Sequence, residues 1–323
     1  MRFIHCVILT LLCAFLLADA SADMPLTGLT VVSAENSFAL EHDGKVLLRY
    51  VYEDENILRP YFCDVTVNGA QITRNNPPIE GVDPTDHGDY HPGIWEAYGD
   101  ISGEDFWRNK ARVRHVEFVD PPSVKDNELR FTARNRFDGE NGPICVEQCA
   151  WRAVVYEEVI YLIQDAVFTP VGDKAVFGDQ EEMGTGIRLA TPLTVKHGAG
   201  VLLNSAGGVN EAGVWGKQAA WCDYSALVEK RRAGATVMAH PGSFRPAWFH
   251  ARDYGLLVAN PFGRNAFTEG EASSVDVTRE TPLRLRYGLA LYNREGEDQR
   301  ALAANHYETY LKLAGATAEP SAP

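Results

Sequence analysis

Leu283-Arg284-Leu285-Arg286-Tyr287-Gly288-Leu289-Ala290-Leu291 alternates large apolar residues with polar or small ones. A period of two puts every second side chain on the same face, so this stretch reads as a strand with one side buried. Similar runs recur in both directions along the chain. Phe38 to Tyr52 divides into two around His42-Asp43-Gly44, whose Asp-Gly step favours a tight hairpin. Leu129 to Asn135, Ala150 to Val155, Val159 to Phe168 and Gly186 to Val195 follow, rich in Val, Ile, Phe and Tyr. A single helix is expected, from about Asp298 to Leu313, with Leu302, Tyr310, Leu311 and Leu313 as its apolar stripe. Many short strands separated by Gly- and Asp-rich turns predict an all-β fold, a large antiparallel β-sandwich with one C-terminal helix. The two-sheet supersandwich of sugar mutarotases and some polysaccharide lyases is the nearest analogy, at the level of fold alone.

The ends of the chain read differently. Arg2, the apolar stretch Val7 to Ala18 and the small residues Ala18, Ala20 and Ala22 make a cleavable secretory signal over residues 1–22. An apolar run of about 12 residues falls short of the roughly 20 needed to span a bilayer, and no later stretch approaches that length, so no membrane span is expected. Residues 23–314 then form one domain, and the small residues and prolines of 315–323 predict a disordered tail. The expected location is periplasmic or secreted.

A formal net charge of −14 repels polyanions, so nucleic acid is not an expected partner. No Gly-rich phosphate loop, G-x-S-x-G elbow or H-E-x-x-H is present, so no nucleotide cofactor is expected. Cys63, Cys145, Cys149 and Cys222 follow the signal. Disulfides among them are left open, but Cys145 and Cys149 are too far apart along one strand to pair.

The residues able to carry chemistry fall in three loop-like clusters. In the first, His87 and His91 lie among carboxylates, Gly and Pro, followed by Trp95, Asp100 and Trp107. These histidines are candidates for acid/base catalysis or for holding a divalent metal. In the second, Glu181 and Glu182 precede Arg188. Adjacent glutamates in an extended segment face opposite ways, so only one of them is expected to face a site. The third contains Lys217, Trp221, Asp223, His240, Trp248 and His250. Its tryptophans, with Trp95 and Trp107, offer flat apolar faces for a sugar ring whose hydroxyls seek Asp, Arg, Lys and His. His250, beside an aromatic residue in a Pro-bounded strand, reads more readily than His240 as a packed structural residue.

Arg59-Pro60-Tyr61-Phe62, Thr73-Arg74, Pro77-Pro78, Asp86-His87 to His91, Gly93, Trp95, Gly99-Asp100, Asp105-Phe106-Trp107, Gly184 to Arg188, Trp221 to Tyr224, His240-Pro241, Trp248 to His250 and Asn260 to Gly263 occur in an order that resembles a bacterial exported family of unknown function labelled PmoA-like, or "methane oxygenase PmoA". The resemblance runs from about Tyr50 to Tyr292. It implies export and a setting among sugar-degrading genes, and brings no catalytic assignment. The family's first motif is denser in His, where this chain has Gly88, Asp89 and Tyr90. Methane oxygenation itself is unexpected, because a particulate methane monooxygenase subunit is a bundle of transmembrane helices.

These features predict an exported carbohydrate-active enzyme for glycoside cleavage, elimination or epimerisation. His87, His91, Glu181, Glu182 and His240 are its catalytic candidates. Trp95, Asp100, Trp107, Arg188, Lys217, Trp221, Asp223, Trp248 and His250 are expected to bind a small-molecule or glycan substrate. A non-catalytic glycan-binding protein, or a metal-dependent enzyme using His87 and His91, are the alternatives.

Overall fold

The computed structural model describes residues 24–296 and 298–315. The expected signal segment and nearly all of the expected tail lie outside the described residues.

The strands form two large antiparallel sheets packed face to face. One has nine strands, in the order Leu29–Ser33, Ser37–His42, Lys45–Val51, Tyr61–Cys63, Ile94–Tyr98, Met183–Arg188, Leu256–Asn260, Trp248–Arg252 and Lys217–Gln218. The other has eight, in the order Gly200–Asn204, Trp221–Val228, Arg231–Ala239, Leu283–Glu295, Val159–Pro170, Gly142–Val155, Glu128–Gly139 and Arg112–Lys125. The fold is thus an all-β sandwich, as the alternation predicts. Phe38, Leu40, Tyr50, Phe62, Ile94 and Tyr98 from the first sheet meet Phe131, Trp151, Leu162, Phe168, Leu285 and Leu289 from the second in one continuous core.

The hairpin at Asp43-Gly44 forms as expected, with φ of 50° and 70° at its two central residues. The segment expected to be a strand from Gly186 to Val195 ends instead at Arg188. Pro192 cannot donate to a ladder, and Thr191–Leu193 is a turn of 3-10 helix. Two short helices, Asn210–Val214 and Arg264–Thr268, had no periodic signal to announce them.

The C-terminal helix runs Gln299–Leu313, with the Asp298 carboxylate accepting a hydrogen bond from the Ala301 N–H as its N-cap. It buries Gln299, Ala303, His306, Tyr310 and Leu311, while Leu302 is only half-buried. Its packing changes the reading of Leu283–Glu295. From Gly288 onward both faces of that strand are covered, and a Cβ on Gly288 would stand 2.4 Å from the Tyr310 ring. Cys63, Cys145, Cys149 and Cys222 are buried free thiols.

Candidate functional site

The outer face of the nine-stranded sheet gathers most of the predicted residues. Along Ile94–Tyr98, Ile94 and Tyr98 point into the inter-sheet core, whereas Trp95 and Ala97 point outward and pack with Ile57, Tyr61, Cys63, Trp107, Leu256 and Val258. In Trp248–Arg252 the same alternation turns Phe249 and Ala251 inward and His250 outward. Ile187 faces the core, so its neighbour Arg188 emerges on the outer side.

Two buried arginines fold loops over this face. Arg59 donates to the carbonyls of Phe106 (3.1 Å) and Trp107 (2.9 Å), and also to that of Tyr90. Arg74 donates to the carbonyls of Pro84 (2.9 Å), Asp86 (2.8 Å) and His91 (3.2 Å). Burial pulls Arg59 down to about 9, against the charge of Asp105, and Arg74 down to about 10, so both remain charged near neutrality. Carbonyls that would otherwise be orphaned under the loops are satisfied in this way.

The loop then makes one helix-like turn: the His91 N–H donates to the His87 carbonyl at 2.9 Å. Residues four apart on such a turn share a side. The His87 and His91 rings accordingly stack with centroids 4.8 Å apart, and His91 lies on Trp95 at 4.9 Å with only 14° between planes. Tyr254 continues the column above His87 at 5.7 Å, and the Arg188 guanidinium sits 4.3 Å from the Tyr254 ring centre. Trp107 meets His91 and Trp95 edge-on. Burial, and then the charges of His87, Arg188, Arg59 and Arg74, hold His91 well below the usual histidine range. Neither of its ring nitrogens has a hydrogen-bond partner among the described residues.

His87 is half-buried and adopts φ of 53°, in the left-handed region. Its Nδ1 lies 2.7 Å from Oδ2 of Asp86, whose other oxygen accepts a hydrogen bond from Arg188 Nη2 at 2.9 Å. Burial alone would raise Asp86. The His87 hydrogen bond and the Arg188 charge outweigh it and hold the carboxyl below its ordinary value. A carboxylate that stays ionised thus orients one ring nitrogen of a partly exposed histidine.

Glu181 and Glu182 both belong to this region. They sit in a bend ahead of Met183–Arg188 rather than in extended chain, so the expected alternation does not apply. Glu181 pairs with Arg252 at 3.2 Å, and its carboxylate stands 4.0 Å from Nε2 of His250. Glu182 pairs with Arg108, which also holds Asp105 at 3.0 Å. The carbonyl of Glu181 can only accept, so Nδ1 of His250, 2.9 Å away, carries the proton and Nε2 presents a lone pair. Burial, followed by the charge of Arg252, pulls His250 down to about 3; Arg108 and His87 are close enough to add to the effect. Arg252 is shared with Glu211 at 3.1 Å and lies over the ring of Trp215.

The family model for DUF6807, described as a family of unknown function, matches residues 37–306. The chain belongs to DUF6807. No curated protein sequence matches it. Among solved structures, Slr1438 from Synechocystis sp. PCC 6803 is a distant likeness, with 12% identity, a TM-score of 0.32, and coverage of 85% of this chain and 97% of that one.

In this DUF6807 member several predicted residues lie apart from the outer-face cluster. His240 belongs to the other sheet's neighbourhood, at a separate cavity of about 330 Å³ with Pro241, Pro246 and Tyr307; its Nδ1 accepts from the Gly242 N–H at 2.8 Å. Trp221 packs against the C-terminal helix with Tyr310 and Leu311. Asp223 is fully buried under the same helix, accepting from Ser225 (2.8 Å), Thr236 (2.7 Å), Tyr292 (2.9 Å) and Gln299 (2.8 Å). Asp100 closes a turn through the Gly103 N–H at 2.9 Å. Lys217 is exposed on a two-residue edge strand. Trp248 is buried two positions before His250 and takes no part in the ring column.

Asp86, Arg252, Tyr254 and the two loop-holding arginines complete the site without having been singled out as its members. Asp86 adjoins His87, and Arg59 and Arg74 lie within the resembling motifs; these were the available signals. Tyr254 and Arg252 had none, because only the pairing of Trp248–Arg252 with Leu256–Asn260 places their turn beside Arg188.

Proposed function

We propose that this chain is an exported carbohydrate-active enzyme that moves protons on a bound sugar at the outer face of the nine-stranded sheet. The observation that carries the reading is the Asp86–His87 pair: an ionised carboxylate fixes Nδ1 of a partly exposed imidazole and leaves Nε2 for substrate. Glu181 and Glu182 supply carboxylates on the same face and Arg252 supplies donors for sugar oxygens, whereas Arg188, fully buried, acts by holding Asp86 and not by touching substrate. The half-buried rings of Tyr90 and Trp215 offer apolar surface for a pyranose. Glycoside cleavage, elimination and epimerisation all draw on this equipment. The resemblance to the PmoA-like exported family supports an extracytoplasmic, sugar-handling setting.

Two features disfavour the alternatives. Trp95 and Trp107 are 1% and 0% exposed, so they form the floor of the site and not an open binding platform. The His87 and His91 rings lie 23° from parallel in a face-to-face stack, which aims their nitrogens sideways instead of at one shared ion. The test is turnover against a panel of glycans and oxidised glycosides. His87→Ala and Glu181→Gln are expected to abolish turnover while the fold persists; full turnover in both folded variants overturns the reading.

A further inference from the structure

The interior of the sandwich holds a polar cluster that the outer-face site does not use. Glu147 and Cys149 lie two residues apart on Gly142–Val155, so both side chains leave the same face of that strand, toward the facing sheet. Glu96 comes from Ile94–Tyr98 in the opposite sheet. One ligand atom from each of the three falls within 4.8 Å of the others. Beside them is a cavity of about 20 Å³ bordered by Tyr50, Phe62, Trp95, Glu96, Asn135 and Glu147, and about 10–15 Å³ suffices for one water-sized occupant.

The surrounding groups prepare two carboxylates as acceptors. Asn135 Nδ2 donates to Oε2 of Glu147 at 2.8 Å, and the Tyr98 hydroxyl and Gln164 amide donate to Glu96. The Thr185 hydroxyl donates to Oε1 of Gln164 at 2.7 Å, which turns the amide N–H of Gln164 toward Glu96. Oε1 of Glu147 has no hydrogen-bond partner among the described residues, although Glu147 is only 3% exposed. Two carboxylates facing each other in the core cannot both stay ionised unless a shared proton or a bound cation lies between them.

We propose that Glu96, Glu147 and Cys149 form an internal binding site for a divalent metal ion that ties the two sheets together. Two carboxylate oxygens and one thiolate suit zinc, with the cavity leaving room for a water as a fourth ligand. On binding, the ion displaces the thiol proton and any proton held between the carboxylates, and its charge offsets theirs. The site is separate from the proposed acid/base cluster and does not depend on that function.

The full chain, equilibrated with zinc and freed of excess, is expected to retain about one zinc per molecule by elemental analysis. Glu147→Gln should retain almost none, and Glu181→Gln on the outer face should retain it all. Cobalt(II) loaded into the unmodified chain should give a near-ultraviolet thiolate-to-metal charge-transfer band that Cys149→Ser abolishes. An unmodified chain that keeps no zinc, a cobalt form without the thiolate band, or a Glu147→Gln protein that keeps zinc equally well would each overturn the proposal.

Discussion

Asp86 grips His87 and Arg188 at once, one carboxylate oxygen 2.7 Å from the His87 Nδ1 and the other accepting from Arg188 at 2.9 Å. The imidazole is thereby held in one tautomer, with its proton on Nδ1. Asp86→Asn replaces the anion with a neutral amide of the same size. Turnover on the substrate found by screening is expected to fall about 100-fold or more, within the span such proton transfers contribute. Nitrogen NMR of His87 should show the Nδ1–H population reduced, and an unaltered tautomer with unaltered turnover would refute the orienting role.

Acid should weaken the fold through its buried histidines. Burial first, then Arg252 for His250 and Arg294 for His306, pull both rings down to about 3 from an unfolded value of 6.5. Below pH 6.5 the unfolded chain binds protons that the native chain refuses. Their contribution is therefore complete above pH 6.5 and is lost as pH falls toward 3, at about 1.4 kcal/mol per pH unit for each ring that stays neutral. His306→Gln should make the decline of melting temperature with pH shallower over that window.

Asp223 is expected to matter for stability alone. Replacing it with alanine leaves the Tyr292 hydroxyl and one Gln299 N–H without their acceptor and turns Thr236 back on His306 alone beneath the C-terminal helix, at a cost of roughly 3 kcal/mol. Chemical denaturation should register that loss, while ligand affinity of the folded fraction stays at the unmodified level.

Gly184 tolerates no side chain. It adopts φ of 117°, and a Cβ there would lie 2.0 Å from the Ala259 carbonyl oxygen in the neighbouring strand. Gly184→Ala should part Met183–Arg188 from Leu256–Asn260, disturbing Arg188 and Tyr254 together. Soluble yield and melting temperature report the result, and a variant within about 1–2 °C of the parent, roughly the effect of a neutral surface change, contradicts it.

Much of the architecture was written in local pattern. The alternation of Leu283, Leu285 and Tyr287 with two arginines and the Asp43-Gly44 turn needed no distant partner to be read. The second half of that same strand did: Gly288 and Ala290 look like an exposed small-residue face until the helix bearing Tyr310 covers them. The site was legible as composition but not as assembly. His240 and His250 have similar Pro- and aromatic-rich surroundings in sequence, and His240 was the stronger functional candidate. Strand order alone sends His250 to the outer face with Glu181 and His240 to a different cavity. The Glu96–Glu147–Cys149 cluster is not legible in sequence because Glu96 stands in one sheet and the Glu147–Cys149 pair in the other, and no spacing along the chain signals their meeting.

The contact of His91 with Trp95 also makes the molecule its own optical gauge. An imidazolium in face-to-face contact quenches indole emission far more strongly than neutral imidazole, and these rings lie 4.9 Å apart. Anything that hydrates, protonates or reseats His91, a ligand included, will change the emission of Trp95 directly. A variant that keeps Trp95 and replaces the chain's other five tryptophans would therefore follow events at the floor of the site before any substrate is known.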